Sequence, residues 1–169
     1  MAALTSMPRA LRTSFLWGLA VLAYDAANGS FLLSMLVCPL WLLVSLVRST
    51  WRKSGWGVAL ARAAIPVSVL AVALVNDSFQ RGLATERAEQ VVCAIRTFRE
   101  EHGRYPNDLQ QLVPKYLPFV PRAKYAITFS AFFYAGGGGE SRPGLWWIDT
   151  PPHGKRYYNF DDARWSFID

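Results

Sequence analysis

Glu100, Glu101 and His102 are the residues of this sequence whose types most resemble an acid–base site. Carboxyl and imidazole groups are the side chains that general acid–base catalysis uses most often. The three residues are consecutive, however, and the surrounding pattern predicts a helix, on which successive side chains point in different directions. They cannot converge on one substrate atom, so we interpret them as a solvated helix end, where a histidine cation interacts favourably with the helix dipole.

The other motifs that suggest chemistry are incomplete. His102 and His153 are the two histidines, and neither has a cysteine or a second histidine at zinc-ligand spacing. The glycines 136–139 lack the Gly-Lys-Ser/Thr and the helix that a phosphate-binding loop needs. Serine and aspartate residues occur without a nucleophile-elbow motif. We therefore predict a protein that is not an enzyme, holds no metal and needs no cofactor.

Three apolar stretches precede these residues, at 11–27, 31–47 and 57–75. The last has 19 residues, which as a helix span about 28 Å and match a bilayer core. We predict a membrane region over residues 1–75 with about three transmembrane helices. Two crossings remain an alternative to three, and a signal peptide is the competing interpretation of residues 1–27.

The charge distribution predicts the orientation of the chain. Residues 1–75 carry six Lys/Arg and one Asp, whereas residues 76–169 carry 12 Lys/Arg and 11 Asp/Glu. The excess lies before the first stretch and in the 48–55 loop, while the 25–30 loop has no cation. This is the positive-inside pattern and not a nucleic-acid patch. We expect a multi-pass protein of a bacterial inner membrane, with a cytoplasmic N-terminus and residues 76–169 in the periplasm.

The remainder of the sequence predicts an α+β domain. Across 78–103, apolar residues recur at helical spacing, so one helix of about 45 residues begins in the membrane and ends in water. Segments 125–135, 145–149, 156–160 and 164–168 have strand-like composition, and the last two flank a turn. A long helix packed on a small antiparallel sheet is the simplest arrangement that buries these faces. The helical stripe comprises Ala84, Ala88, Val91, Val92, Ile95 and Phe98.

The segment HGRYPNDLQQLV, residues 102–113, joins the helix to the sheet. Gly103 is a natural helix C-cap, Pro106 prevents the helix from continuing, and Asn107 or Asp108 can cap a short following helix. Tyr105 can pack beneath the turn as an aromatic plug. Leu109 and Leu112 are spaced to face the core. We interpret this joint, residues 102–113, as structural.

Residues 57–169 resemble the type IV pilins and type II secretion pseudopilins. A membrane helix that continues as an amphipathic helix, a Gly-x-Tyr-Pro turn, a short helix and an antiparallel meander are similar to that family. The segment after Gly57 lacks the glutamate of the family's leader-cleavage motif, so prepilin processing is not expected. Some family members hold calcium in a C-terminal loop, and the resemblance makes Glu140, Asp149, Asp161 and Asp162 weak calcium candidates.

The resemblance implies a binding or assembly role in a type II secretion or type IV pilus-like system. The expected partners are membrane lipid and other membrane, pilus or secretion-system proteins, without nucleic acid. Arg87, Arg96 and Arg99, on the exposed side of the helix, are the candidate partner-binding residues. The alternative is a membrane-anchored sensor that binds a small molecule on the sheet. The expected mark of that sensor is an aromatic pocket of Phe132, Tyr134, Trp146 and Trp147.

Overall fold

The structure is a computed structural model that describes residues 9–51, 55–136 and 142–168. The chain divides into two compact units, Met1–Ser78 and Phe79–Asp169.

The first unit is helical over its described residues. It contains α1 (Arg9–Asn28), α2 (Leu32–Trp51) and the first part of α3 (Trp56–His102). Val21, Cys38 and Val69, one from each helix, form a small apolar cluster. Gly18 permits close packing here, because a Cβ atom at that position would lie 2.9 Å from Cγ2 of Val69.

Asp25 holds the turn between α1 and α2. Its carboxylate accepts hydrogen bonds from the backbone N–H of Leu33 at 3.1 Å and of Ser34 at 2.8 Å. These two donors belong to the first turn of α2, which has no helical acceptors for them. The side chain is thereby almost fully buried, at 2% exposure, and its charge is matched by the amino end of a helix.

Among the described residues, two helices are long and apolar enough to cross a membrane, namely α2 and α3. The third expected span, at 11–27, lies in α1, which has 20 residues but does not meet the same hydropathy criterion. The structure thus supports two candidate spans by length and composition.

The second unit is a helix on a sheet. The second part of α3 buries the predicted stripe in the core. All six stripe residues are at most 7% exposed, which confirms the helical period. Helix α3 has 47 residues, close to the expected 45, and continues through Gly82.

The described residues of this unit form one four-stranded antiparallel sheet of order β1-β2-β3-β4. The strands are β1 (Phe133–Ala135), β2 (Gly144–Thr150), β3 (Gly154–Asn159) and β4 (Arg164–Ile168). Leu145, Trp147 and Tyr158 point from the sheet into the core beneath α3. A register shift near Asp149 interrupts the pairing of β2 with β3. The predictions for 145–149, 156–160 and 164–168 are confirmed to within a few residues.

The prediction of a strand over 125–135 is wrong for its first eight residues. Only Phe133–Ala135 pairs with a neighbouring strand, and residues 123–129 form successive bends. The observed burial is the reverse of the predicted one: Lys124 and Ala126 are buried, whereas Tyr125 and Ile127, which were expected to face the core, are exposed. Phe129 has a φ of 53°, a left-handed conformation that lies outside the β region of a regular strand.

Candidate partner-binding surface

The joint ends α3 as its residue types predict. Gly103 has a φ of +68°, and its N–H donates to the carbonyl of Arg99 at 2.8 Å. Asp108 then caps the 3₁₀ helix Leu109–Leu112 by accepting from the N–H of Gln110. Glycine is suited to the first position because a left-handed backbone strains a residue with a Cβ atom.

The side chains of the joint close one end of the core. Leu109 and Leu112 are buried, and the Tyr105 ring packs 5.5 Å from that of Phe160. Pro106 is fully buried, and its carbonyl accepts a hydrogen bond from the hydroxyl of Tyr134 at 3.0 Å. The joint therefore fixes where the end of α3 meets the sheet, and it positions Tyr105 beside the helix.

Two of the three candidate arginines meet at this place. The guanidinium of Arg96 donates to the hydroxyl of Tyr158, and that of Arg99 donates to the hydroxyl of Tyr105. Each guanidinium also lies over its tyrosine ring, at 5.6 Å for Arg96 and 4.4 Å for Arg99. We call these four residues the arginine–tyrosine surface. Both arginines are exposed, so their charges face solvent while the phenols limit their conformations.

Burial raises the pKa of the Tyr105 phenol above its usual value, and the nearby charge of Arg99 opposes this shift. The phenol consequently remains protonated at neutral pH and accepts from Arg99 through a lone pair. A neutral Tyr105 phenol does not cancel the charge of the Arg99 guanidinium, and Arg96 adds a second exposed cation to the surface. A cationic pair of fixed geometry suits carboxylate groups, which accept two parallel hydrogen bonds from arginine.

Arg87 lies apart from this pair. It precedes Arg96 by nine residues, or about 13 Å of helix. Its guanidinium donates to the carbonyl of Arg122 at 2.8 Å and lies 4.2 Å from the centre of the Tyr125 ring. Arg87 thus holds the 122–125 segment against α3, a role that the sequence pattern did not suggest.

The three calcium candidates that the structure describes do not all come together. Asp149 lies near one end of β2, whereas Asp161 and Asp162 lie in the turn after β3, beside the opposite end. Asn159 pairs with Gly144, five strand residues from Asp149, which corresponds to roughly 16 Å. Glu140 lies outside the described residues. In the described ranges, no group of three or more His, Cys, Asp or Glu side chains is arranged to hold a metal ion.

The four aromatic residues of the sensor hypothesis do not line one pocket. Trp147 is fully buried against Phe132, with ring centres 5.7 Å apart, and Tyr134 faces the same core. Trp146 alternates to the opposite face of β2, where it stacks on Phe133. Successive strand residues point to opposite faces of a sheet, so Trp146 lies on the outer face while Trp147 lies in the core.

Sequence reasoning missed a buried charged group at the end of the core nearest the start of unit two. Lys124 is fully buried and donates to the backbone carbonyl of Asp149. The carboxylate of Asp149 accepts from Trp147 Nε1 at 3.3 Å and pairs with Arg81 at 3.6 Å. Burying a charged side chain without partners costs free energy, so the contacts of Lys124 and Asp149 favour one way of attaching the segment around residue 124 to β2. Lys124 and Arg81 lie 25 and 68 positions before Asp149 in the sequence, with no motif that connects them.

No family model, no curated protein and no solved structure matches this chain. A long helix packed on an antiparallel sheet, entered through a Gly-x-Tyr-Pro joint, is compatible with a pilin-like fold. The likeness rests on this architecture and on the joint.

Proposed function

We propose that this chain is a membrane-anchored binding component that presents a pilin-like domain in the periplasm and docks a protein partner there. The proposed role is non-enzymatic assembly in a type II secretion or type IV pilus-like system. The proposed location is the bacterial inner membrane, with the N-terminus in the cytoplasm.

One observation carries the proposal: α3 has two parts with opposite surroundings. Over 57–75 most of its apolar side chains are exposed, as with Leu60 at 66% and Val75 at 71%, although a few such as Val69 pack within the first unit. Over 84–98 its apolar side chains are buried beneath the sheet. An exposed apolar helix of bilayer length is suited to a lipid environment, whereas an amphipathic helix whose apolar face is covered by a sheet is typical of a folded domain in water.

The arginine–tyrosine surface supplies the docking chemistry. Arginine and tyrosine are enriched among the residues that dominate interface energies. The phenols restrain both guanidinium groups before a partner arrives, which reduces the conformational entropy lost on binding. We propose that the partner presents carboxylates at this place, and that pilus or secretion-platform proteins are the class to which it belongs.

The test is photo-crosslinking in intact cells. A photo-reactive residue replaces the exposed Glu100, which is adjacent to Arg99, and the adducts are identified by mass spectrometry. In the same background, the pair Arg96→Glu and Arg99→Glu reverses the charge of the surface. Capture should fall about tenfold or more, because loss of 1.4 kcal/mol of binding free energy is a factor of ten.

The matched control is the pair Arg142→Glu and Arg164→Glu, which makes the same change of charge at exposed positions outside the surface. We expect this pair to leave capture and protein level unchanged. Equal capture by both double variants would refute the arginine–tyrosine surface as the docking site. Adducts confined to lipid or to the chain itself would refute the assembly role.

The outer face of the sheet favours a second candidate function, the binding of a flat ligand by a membrane-anchored module. Phe133, Trp146 and Tyr157 form an aromatic ladder there, with neighbouring ring centres 5.9 Å and 6.1 Å apart. Such a row of π-faces can stack with a planar ring. A ligand-dependent rise in melting temperature that is lost on Trp146→Ala would support this function, and a persistent rise would place the ligand elsewhere.

A further inference from the structure

Three large apolar side chains are exposed where the second unit begins. Phe79 is 62% exposed, Tyr125 is 63% exposed and Ile127 is 82% exposed. Tyr125 and Ile127 alternate with the buried residues Lys124 and Ala126, so their outward direction is set by the packing of their neighbours. Exposed apolar groups that are grouped in this way usually contact another apolar phase.

A reciprocal pair of hydrogen bonds brings Tyr125 to the start of this unit. The side-chain amide of Gln80 donates to the carbonyl of Tyr125 at 3.2 Å, and its oxygen accepts from the N–H of Tyr125 at 2.9 Å. Gln80 follows Phe79 directly. The three exposed side chains therefore belong to one end of the second unit, although two of them are more than 40 residues from the third in sequence.

Chain length keeps this end close to the proposed membrane boundary. Gln80 follows Val75, the last residue of the apolar stretch, by five residues. Five helical residues rise about 7.5 Å, and even a fully extended chain of that length spans at most about 17 Å. The headgroup layer on each side of a bilayer core is roughly 5–7 Å thick. The end that carries Tyr125 and Ile127 is thus within reach of the lipid headgroups.

The chemistry of this end matches an interface between water and lipid. Tyrosine is enriched in interfacial belts, where its ring lies at headgroup depth and its hydroxyl reaches water. Arg87 lies over the Tyr125 ring and binds the Arg122 carbonyl, so a cationic side chain is adjacent to the exposed aromatic group. Lipid phosphates complement this charge.

We propose that the 125–127 loop and Phe79 form an interfacial foot that inserts into the headgroup layer of the bilayer crossed by α3. This inference rests on the proposed membrane anchoring. Its occupant is the lipid surface itself. The foot restrains the periplasmic domain against the membrane, and it thereby limits the directions in which the arginine–tyrosine surface is presented to a partner.

The experiment measures the depth of single sites in the full-length protein. Cys38→Ala and Cys93→Ala remove the native thiols, and one cysteine is introduced as Ile127→Cys, Phe119→Cys or Leu60→Cys. Each thiol carries an environment-sensitive fluorophore, and the protein is reconstituted in vesicles of phosphatidylcholine and phosphatidylglycerol. Lipids with a nitroxide quencher either on the headgroup or deep in the acyl chain then report the depth of each site.

Phe119 is the matched control because it is also a highly exposed apolar side chain, at 66% against 82% for Ile127, but its neighbours in sequence contact later parts of α3. Tyr116, on one side of it in sequence, bonds to Glu101, and Arg122, on the other side, bonds to Arg87. A helix rise of about 1.5 Å per residue therefore places the control well beyond the level of Gln80.

We expect the headgroup quencher to remove roughly half of the fluorescence at position 127 and little at position 119, with position 60 quenched from the acyl chain. Quenching at position 60 without quenching at position 127 would overturn the foot while membrane anchoring stands. Equal quenching at 127 and 119 would overturn it as well, since the whole domain would then lie on the lipid. Absence of acyl-chain quenching at position 60 would overturn the anchoring and, with it, the foot.

Discussion

The substitution Gly103→Ala tests the joint, and Gly82→Ala is its matched control. A Cβ atom added at either glycine meets no atom within 4 Å, so neither alanine creates a clash. The two positions differ in backbone conformation: Gly103 has a φ of +68°, whereas Gly82 lies inside α3. The same chemical change should therefore have opposite effects on stability.

The magnitudes follow from the backbone. An L-residue in the left-handed region costs about 1–2 kcal/mol, which Gly103→Ala should subtract from the free energy of unfolding. In a helix interior, alanine is favoured over glycine by about 0.5–1 kcal/mol, which Gly82→Ala should add. For a domain of this size, about 1 kcal/mol shifts the melting temperature by roughly 4–8 °C, so the two variants should differ by several degrees on either side of the wild type.

The assay is thermal unfolding of the full chain in detergent micelles, followed by near-ultraviolet circular dichroism of the aromatic core. Gly103→Asn is a useful third variant, because asparagine tolerates the left-handed region and should lose less stability than alanine. If Gly103→Ala were neutral, or stabilising like Gly82→Ala, the left-handed backbone conformation of Gly103 at the end of α3 would be refuted. The geometry that places Tyr105 beside Arg99 would then be wrong as well.

Two further predictions concern the packing and the charges near the joint. Leu112→Ala removes a fully buried side chain and should lower the free energy of unfolding by about 2–5 kcal/mol, measured by denaturant titration; a loss below about 1 kcal/mol would contradict its place in the core. Hydrogen bonds from Lys115 and Tyr116 lower the pKa of Glu101, so their contribution is complete above the ordinary carboxyl pKa and is lost as the pH falls through the lowered one. Glu101→Gln should therefore reduce the dependence of melting temperature on acidic pH, and an unchanged acid profile would show that the contact contributes nothing.

Local pattern was sufficient for much of the second unit. The stripe from Ala84 to Phe98 repeats every three or four residues, and such spacing places side chains on one face of a helix whatever covers them. The 145–149 and 164–168 strands were likewise predicted from composition and from turns at their ends. Gly103 and Pro106 end the helix for local reasons: glycine adopts a left-handed backbone readily, and proline has no backbone N–H to continue the helix.

The same reasoning failed at residues 125–132, where tertiary contacts override the local preference. An alternation of apolar and polar residues predicted a strand there, yet Gln80 binds the backbone of Tyr125 that a neighbouring strand would have needed. Burial of Lys124 also directs the next residue, Tyr125, toward solvent, so the apolar residues of the alternation face away from the core. Its attachment to Asp149 depends on contacts between distant residues, which the local pattern does not contain.

The candidate sites show the same distinction between local pattern and tertiary contacts. The sequence by itself determined that α3 carries arginines on its polar side and ends at Gly103, because helical period and backbone preference are local properties. Only the tertiary structure decided that Arg96 and Arg99 meet two tyrosines, that Arg87 holds a separate segment, and that Asp149 lies far from Asp161. The distance from Asp149 to Asp161 and the position of Tyr158 beside Arg96 depend on which strand residues face each other, a register that is set by packing across the sheet. The contacts of Arg99 and Arg87 depend on how the joint and the 122–125 segment pack against α3.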